Sequence, residues 1–321
     1  METAADPDVT VIVPAYDGER YIGSALASIR DSYGAGLGFR FEVVVVDAGS
    51  SDATPEIVQS IAERDHRFRL VRSEHRLSPP AARNRALAEA RAPFVACLDH
   101  DDRSPPGRLL RHIAELRERP DIAAVGGALT HIDGAGLPLG EPSPVGPDLD
   151  VHATRYLLPF HCPTLTSAMT YRLVALRAAG GFVEHRPYAD DYHLFAALFD
   201  HGGVRMLGAP AARYRTHDTQ LSWRRRAEQQ LEVTLLRQRL AADVLGAPPP
   251  LDVVWAWRSA TNADQATRER AVEYLDRYLE RFLERFEPTG DDLVRITDVH
   301  QRRRDRLVNG DTDPADVESP A

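Results

Sequence analysis

Four short apolar runs alternate with helical segments over residues 9–119, and this alternation constrains the fold more than any other feature of the chain. The apolar runs are VTVIV at 9–13, FEVVVV at 41–46, FRLV at 68–71 and FVACL at 94–98. The helical segments are 19–32, 54–64, 80–91 and 105–119. Continuous apolar runs are typical of strands buried on both faces of a parallel sheet. The pattern predicts an α/β fold with a mostly parallel central sheet flanked by helices.

Polar residues cluster where the predicted strands end. PAYDGE follows the first strand, DAGSSDAT follows the second, and DHDD, with Asp99, Asp101 and Asp102, follows the fourth. Because the carboxyl ends of parallel strands lie on one edge of a sheet, we expect these segments to form one site. Carboxylates on a rigid strand end suit a divalent cation, although an acidic turn that caps the following helix would give the same pattern.

The second half of the chain has a looser pattern. IAAVGGALTHIDGAGLPL predicts two strands around a Gly-rich turn, then a short helix near 150–158 and a further strand and helix. YADDYHLFAALFDHGG predicts a helix with Asp190 and Asp191 near its amino end, and VRML and ARYRTH predict a strand pair. The rest is predicted to be helical, with a break at GAPPP. The predicted organisation is an α/β domain at 1–222, a helical extension at 223–307 and a disordered tail at 308–321.

Composition excludes several classes of protein. The net charge of −9 argues against a general nucleic-acid binder, which needs a basic face. The chain contains no lysine, so all 39 basic residues are arginine, and lysine Schiff bases and the P-loop lysine are excluded. No run of about 18 apolar residues occurs, so we expect no transmembrane segment. Cys97 and Cys162 form no disulfide framework, and we expect a cytoplasmic protein, with the inner face of the membrane as a second location.

Five ordered motifs carry a resemblance to a known family. They are VIVPAYDGERYIGSALASI, VVVVDAGSSDAT, AARNRAL with FVACLDHDD, AGGFVEHRPYADDYHLFAAL and YRTHDTQLS. Together, over roughly residues 9–222, they resemble the inverting family-2 glycosyltransferases, which have a GT-A fold. The resemblance implies a catalytic GT-A domain at 1–222 that moves a sugar, of the hexosyl type, from a nucleotide-diphosphate donor to an acceptor hydroxyl.

The resemblance assigns the acidic turn to a metal site. It implies that Asp99 contacts the nucleotide ribose or a metal-bound water, and that Asp101 and Asp102 coordinate Mn²⁺ or Mg²⁺. His217, in YRTH, is the additional ligand that it implies. A divalent cation can stabilise the charge that develops on a departing diphosphate. Since the chain has no lysine, a metal is the most economical counter-charge, assisted by Arg83.

The first two loops are similar to the family's nucleotide site. Asp47 would accept a hydrogen bond from a base N–H, which suits uracil or thymine, so a UDP- or dTDP-sugar is the implied donor. Ala48 stands where the family usually has a second acid, which leaves the choice of base open. The residues that match the first nucleotide loop are Pro14, Ala15, Tyr16 and Glu19.

Inversion requires a base on the face of the sugar opposite the leaving diphosphate. The resemblance implies that Asp191 is this base, and Asp190 stands where the family usually has glutamate. Like charges side by side raise one pKa, which suits a base. Two acids at a helix amino end are also what the helix dipole alone would favour.

Two other functions stay open. A nucleotidyltransferase also uses an α/β sheet and metal-binding aspartates, but it usually opens with a Gly-rich phosphate loop, which VPAYDGERY is not. A non-catalytic sugar-nucleotide scaffold or sensor would explain Ala48 and Asp190. The acceptor is not indicated, whether glycan, glycolipid, protein or small molecule. The apolar stripe in the C-terminal helices favours packing or self-association over membrane contact, because acids interleave with the arginines.

Overall fold

The structure of the chain is a computed structural model that describes residues 6–31, 40–139, 148–186, 189–218 and 226–311. It divides into two compact units, Met1–Asp148 with Thr164–Arg224 and Leu149–Pro163 with Arg225–Ala321. The second unit includes residues 149–163, which the sequence pattern assigns to the α/β domain. Residues 308 and 309, assigned to the tail, belong to a helix, and residues 312–321 lie outside the described residues.

A seven-stranded sheet forms the centre of the first unit. Its strands are β1 (Val9–Ala15), β2 (Phe41–Asp47), β3 (Phe68–Arg72), β4 (Phe94–Cys97), β5 (Ala124–Ile132), β6 (Thr170–Arg172) and β7 (Val204–Arg215). They lie in the order β3-β2-β1-β4-β6-β5-β7, and among these strands β6 alone runs antiparallel to its neighbours. Every residue of β1, β2 and β4 is buried, which explains their continuous apolar sequence.

Helices connect these strands. Those of the first unit are α1 (Ile22–Asp31), α2 (Thr54–Arg64), α3 (Pro79–Ala88), α4 (Arg108–Glu118), α6 (Leu173–Ala178) and α7 (Asp190–Ala197), whereas α5 (Val151–Leu157) belongs to the second unit. Ser78 caps α3, because its hydroxyl accepts the Ala81 N–H at 3.4 Å. The helix predicted from residue 105 begins only at Arg108, because Gly107 adopts a left-handed conformation with φ of 72°.

The predicted strand pair at VRML and ARYRTH is a single strand, β7. It runs parallel to β5, and two register shifts, one on each side of Ala128, accommodate the additional residues before and after Pro210. The two strands predicted around DGAG are also wrong in part. Only β5 is a strand there, followed by a turn and one isolated bridge between Ile132 and Pro138. Local composition indicates an extended chain, but the pairing partner decides where a strand continues.

The parallel strands bring the predicted site segments to one edge of the sheet. β1 pairs in parallel with both β2 and β4, so the loops that follow Ala15, Asp47 and Cys97 are neighbours. β7 ends at Arg215, whose backbone N–H donates to the Asp102 carboxylate at 2.9 Å. The loops that follow β1 and β2, the acidic turn and the YRTH segment therefore meet at this edge.

The second unit is helical. Besides α5, its helices are α8 (Arg226–Leu245), α9 (Leu251–Arg258), α10 (Gln265–Phe286) and α11 (Gly290–Asn309). An aromatic cluster fills its core, where the ring centroids of Tyr156 and Tyr278 lie 5.3 Å apart. Leu275, Tyr278 and Phe282 of the apolar stripe are buried in this core, so much of the stripe packs within the unit itself. Among the described residues, no helix has both the length and the apolar character needed to cross a membrane.

Candidate active site

The acidic turn after β4 is fixed by hydrogen bonds. The Asp99 N–H donates to Ser167 Oγ at 2.9 Å, and the Asp102 N–H donates to the Asp99 carbonyl at 3.2 Å. Asp102 is 1% exposed, and its Oδ1 accepts the Arg215 N–H at 2.9 Å. Burial, together with the carboxylates of Asp101 and Asp99, raises the pKa of Asp102 well above its ordinary value. A nearby cation would favour the charged form of this carboxyl.

Arg83 joins the acidic turn to the acidic pair. Its Nη2 donates to Asp99 Oδ1 and its Nη1 to Asp190 Oδ2, each at 2.9 Å, and the arginine is 7% exposed. Burial opposes the charge of the guanidinium, but the two carboxylates raise the pKa of Arg83 above its ordinary value. Both Nη groups are thus engaged by protein carboxylates, and a direct contact between Arg83 and a diphosphate stays a prediction.

Asp190 and Asp191 form the first turn of α7. Burial raises the pKa of Asp190 to about 7, against the lowering effect of Arg83. Asp191 is more exposed, and its Oδ1 accepts the Tyr192 N–H at 2.7 Å. Burial also raises the pKa of Asp191, and Arg83 again opposes the rise. The pKa of both carboxyls is raised, but Asp190 is the one that the arginine binds, and Asp191 is the less buried of the two.

Asp101 and His217 come together from β4 and β7. Asp101 Oδ2 and His217 Nε2 lie 3.0 Å apart. Although burial opposes its ionisation, His100 and His217 lower the pKa of Asp101. Two adjacent ligands about 2.1 Å from an octahedral cation lie about 3.0 Å from each other, so this separation fits a shared metal ion. A mixed oxygen and nitrogen pair can hold Mn²⁺, whereas Mg²⁺ prefers oxygen ligands alone.

Among the residues that the structure describes, Asp101 and His217 could supply only part of a metal coordination sphere. Among the described residues, no group of three or more His, Cys, Asp or Glu side chains is arranged to hold a metal ion. Asp102 lies beside Asp101 in sequence, but its Oδ1 is engaged by the backbone of Arg215. Cations that act on phosphate substrates commonly keep several waters and take phosphate oxygens as further ligands. The pair of Asp101 and His217 fits a cation of that kind.

The loops that follow β1 and β2, which are predicted to bind the nucleotide, place Asp47 and Tyr16 at the same edge. Asp47 is fully buried, and its Oδ1 accepts the Ser50 N–H at 3.2 Å. Arg72 Nε lies 3.8 Å from Asp47 Oδ2. Tyr16 is partly exposed, and the Arg76 guanidinium carbon lies 3.8 Å from the centroid of its ring. Tyr16 thus offers a ring at the rim of the site, already stacked with an arginine.

Glu19 and its neighbours hold these two loops together. The Glu19 N–H donates to Asp52 Oδ2 at 2.9 Å, and Glu19 Oε2 accepts the Ala53 N–H at 3.1 Å, just before α2. Pro14 and Ala15 are the last two residues of β1 and are buried. The structure therefore gives Glu19 a bracing role between loops. The predicted nucleotide contacts of Pro14, Ala15 and Glu19 stay predictions.

The first loop also contacts the acidic turn. A Cβ on Gly18 would lie 2.3 Å from His100 Cδ2, so the ring packs directly on the glycine backbone. The Gly18 N–H in turn donates to Thr54 Oγ1 at 2.8 Å. Gly18 thus lies between the acidic turn and the second loop, and only a residue without a side chain fits there without a shift.

Ser167, Arg76 and Arg215 are further residues of this site to which the sequence pattern assigns no role. Ser167 binds the backbone of the acidic turn, Arg76 stacks on Tyr16, and Arg215 binds the turn from β7. Ser167 and Arg76 lie in segments whose composition marks no function. Arg215 lies in the YRTH motif, so its position next to His217 was the available signal.

The segment that holds the loops after β1 and β2 and the acidic turn matches a known family. The family described as Glycosyl transferase family 2 matches residues 10–168. This part of the chain belongs to glycosyl transferase family 2. The family 2 segment includes Arg83 and the acidic turn, whereas the acidic pair and His217 lie beyond it.

Curated relatives support the family 2 assignment. The chain is similar to the succinoglycan biosynthesis protein ExoO of Rhizobium meliloti (strain 1021), with 40% identity over 131 residues. That alignment covers 41% of this chain and 35% of ExoO. Across the first four curated relatives the alignments cover 27% to 43% of the relative's length, so the chain spans well under half of each.

Solved structures show the fold. The fold is similar to that of S. aureus TarS 1–349 in complex with UDP-GlcNAc, with a TM-score of 0.59 and 19% identity over 95% of this chain and 92% of that one. It is also similar to the mannosyltransferase PcManGT from Pyrobaculum calidifontis in complex with GDP-Man and Mn²⁺. There the TM-score is 0.57 and the identity 20%, over 95% of this chain and 85% of that one. The predicted GT-A fold with a helical C-terminal region is confirmed.

Proposed function

We propose that this chain is an inverting, metal-dependent glycosyltransferase that moves a sugar from a nucleotide-diphosphate donor to an acceptor hydroxyl. The observation that carries the proposal is the bridge that Arg83 makes between Asp99 and Asp190. One guanidinium joins an acid of the proposed donor site to the pair that contains the proposed base, Asp191. The proposed donor site and the proposed base are thus linked by one residue of the first unit, and the family 2 match supports a glycosyltransferase.

The donor nucleotide is proposed to lie along the first two loops. Asp47 ends a rigid buried strand and is proposed to accept the base N–H, which suits uracil and thymine. Tyr16 is proposed to stack on the base, and Asp99 to bind the ribose or a metal-bound water. A UDP- or dTDP-sugar is therefore the proposed donor. TarS and PcManGT were solved with nucleotide sugars, which supports a donor of this chemical class.

Asp101 and His217 are proposed to hold a divalent cation, with Asp102 beside them. When bound, the cation supplies positive charge next to the departing diphosphate. The pairing of an oxygen and a nitrogen ligand favours Mn²⁺ over Mg²⁺. The acidic turn is held in place by Ser167 and Arg215, so these ligands need little rearrangement when the donor arrives.

Asp191 is proposed to take the proton of the acceptor hydroxyl as that oxygen attacks the anomeric carbon. Attack from the face opposite the diphosphate inverts the configuration at that carbon. Asp190 is less suited to this role, because it is buried and its Oδ2 accepts from Arg83 at 2.9 Å. The raised pKa of Asp191, caused by burial, makes it a stronger proton acceptor than an ordinary aspartate.

Product analysis tests this proposal. The purified chain would be incubated with UDP-, dTDP- and GDP-sugars, Mn²⁺ and a panel of sugar and lipid alcohols. We expect release of a nucleoside diphosphate and a glycoside whose anomeric configuration, read by NMR, is opposite to that of the donor. In a parallel incubation with UTP or dTTP and a sugar 1-phosphate, release of pyrophosphate with formation of a nucleotide sugar would instead identify a nucleotidyltransferase. Nucleotide binding without any turnover would favour the scaffold or sensor.

A further inference from the structure

Arg215 is a buried arginine that binds main-chain carbonyls of two separate turns. It is 1% exposed, and its Nε donates to the Asp101 carbonyl at 2.6 Å. Its Nη1 donates to the carbonyls of Asp133 and Gly134, at 2.9 and 3.1 Å. The guanidinium carbon lies 4.6 Å from the ring centroid of Tyr21. A charged group is expensive to bury, and this one is engaged by oxygen acceptors and an aromatic face.

The same residue holds the acidic turn through its backbone. Its N–H donates to Asp102 Oδ1 at 2.9 Å, while its side chain holds the carbonyl of Asp101. Two residues further along, His217 Nε2 lies 3.0 Å from Asp101 Oδ2. The Tyr21 ring, which the guanidinium covers, lies 5.0 Å from the His217 ring. Arg215 therefore binds the Asp101 backbone directly, and it contacts the Tyr21 ring that lies beside the His217 ring.

The sheet does not by itself fix the distance between these two side chains. Asp101 follows β4 and His217 follows β7, and the strand order places β6 and β5 between them. An isolated bridge between Arg103 and Arg213 joins the turn to β7, and Arg215 adds the contacts next to the two side chains. The planar guanidinium presents several donors in fixed directions, which lysine cannot do.

We propose that Arg215 is a positioning residue that fixes the Asp101 carboxylate and the His217 imidazole at a separation suited to a shared divalent cation. The inference rests on the proposed function, because it assigns Arg215 to the metal site of that reaction. Contacts that orient metal ligands commonly change metal affinity by about 10- to 100-fold when they are removed. Loss of the guanidinium should therefore reduce the gain in nucleotide affinity that Mn²⁺ provides more than it reduces the affinity measured without metal.

Arg172 provides a matched control. Its guanidinium also donates to main-chain carbonyls, those of Leu116, Ile122 and Arg119, at 2.7 to 3.3 Å. It also lies near an aromatic ring, with its guanidinium carbon 5.6 Å from the centroid of Phe94. Arg172 pairs with Phe94, the first residue of β4, whereas the acidic turn follows Cys97, the last residue of β4. Arg172 therefore lies at the opposite end of the strands from the acidic turn.

The test is calorimetric titration of UDP, dTDP and GDP into the wild type and into Arg215→Met, Arg215→Lys and Arg172→Met. The measured quantity is the ratio of the nucleotide Kd without Mn²⁺ to the Kd with Mn²⁺, for the nucleotide that the wild type binds most tightly. Thermal unfolding of each variant reports its folding. A variant that only disturbs the structure of the site raises both Kd values by the same factor and leaves the ratio unchanged.

We expect Arg215→Met to lower this ratio by about tenfold or more, Arg215→Lys to lower it less, and Arg172→Met to leave it unchanged. An unchanged ratio in folded Arg215→Met would overturn the inference, as would an equal fall in Arg172→Met. If Arg215→Met does not fold, the decision passes to Arg215→Lys, where an unchanged ratio overturns the inference. A wild type without metal-dependent binding would contradict the proposed function itself, which separates the two failures.

Discussion

At the scale of single residues, arginine supplies the buried positive charge of this site. Arg83 and Arg215 are both buried, and each binds more than one partner through separate nitrogens of its guanidinium. Arg83 binds two carboxylates, whereas the contacts described for Arg215 are main-chain carbonyls and the Tyr21 ring. The planar fork of donors makes such connections, which a lysine ammonium on a flexible stem could not copy.

The first prediction concerns the base. Asp191→Asn should lower the transfer rate by about 100-fold or more, because the asparagine amide cannot accept the acceptor proton. Nucleotide affinity should change little, because Asp191 is not part of the proposed donor site. Transfer assays and calorimetry on the same preparation check both statements. Asp200→Asn, an exposed acid shortly after α7, is the control. A normal transfer rate in Asp191→Asn would remove Asp191 from the mechanism.

The second prediction concerns pH. Burial raises the pKa of Asp190 from 3.8 to about 7, so the folded chain holds a proton that the unfolded chain releases between these values. The stability that the raised pKa contributes is fully present below about pH 3.8, the pKa in the unfolded chain. It is lost as the pH rises through about 7, the pKa in the folded chain. Asp190→Asn removes this loss, so its stability relative to the wild type should improve as the pH rises towards about 7. Denaturant unfolding at several pH values measures it, and a difference independent of pH would contradict it.

The third prediction concerns the arginine between the carboxylates. Arg83→Met should lower the free energy of unfolding by about 3 to 5 kcal/mol, because it leaves the buried Asp190 carboxylate and the partly buried Asp99 carboxylate without their cation. Arg85→Met is the control, since Arg85 lies on the same helix and is exposed. Its effect should stay within about 0.5 kcal/mol. Equal stabilities for the two variants in denaturant unfolding would show that Arg83 contributes no such pairing energy.

At the scale of elements, the strands could be predicted from sequence better than their ends and partners. β1, β2 and β4 are buried along their whole length, so their apolar runs mark them directly. β7 continues through Pro210 only because β5 pairs with it across register shifts, and that pairing joins segments about 80 residues apart. The start of α4 depends on the left-handed backbone at Gly107, which no local apolar pattern shows.

The same reasoning applies to the candidate site. Asp47, Asp99 and Asp101 could be assigned to the site because they follow buried strands that end at one edge. The contact of Arg83 with Asp190 could not be predicted in this way, because it joins residues 107 positions apart in the chain. Only the order of the motifs indicated that the acidic pair belongs near the acidic turn.

The fourth prediction concerns the loop after β2. Gly49 has φ of 85°, and a Cβ there would lie 2.9 Å from the carbonyl carbon of His75. Gly180 has φ of 89°, but no heavy atom of the described residues lies within 4 Å of its Cβ position, so it is a matched control. Gly49→Ala should cost about 1 to 3 kcal/mol more than Gly180→Ala, because only Gly49 is also crowded. Equal losses of unfolding free energy in the two variants, measured by thermal or denaturant unfolding, would show that the loop after β2 accommodates the added Cβ without further destabilisation.

At the scale of the whole molecule, the chain builds two units with separate cores. Residues 149–163 join the helical unit because Tyr156 packs on Tyr278 and Phe282, more than 100 residues further along. The periodicity of this short segment gave a helix near 150–158, but no local pattern could assign it to a distant core. The buried members of the apolar stripe likewise pack within that core.

The measurement that tests the central claim most directly is titration of UDP, dTDP and GDP into the wild type and Asp101→Ala, each with and without Mn²⁺. We predict that Mn²⁺ strengthens binding of the preferred nucleotide by about tenfold or more, about 1.4 kcal/mol, and that Asp101→Ala removes this gain. Asp121→Ala, an exposed acid paired with Arg119, should retain it. No nucleotide binding under any metal condition, or a gain that persists in Asp101→Ala, would contradict a donor site built on the acidic turn.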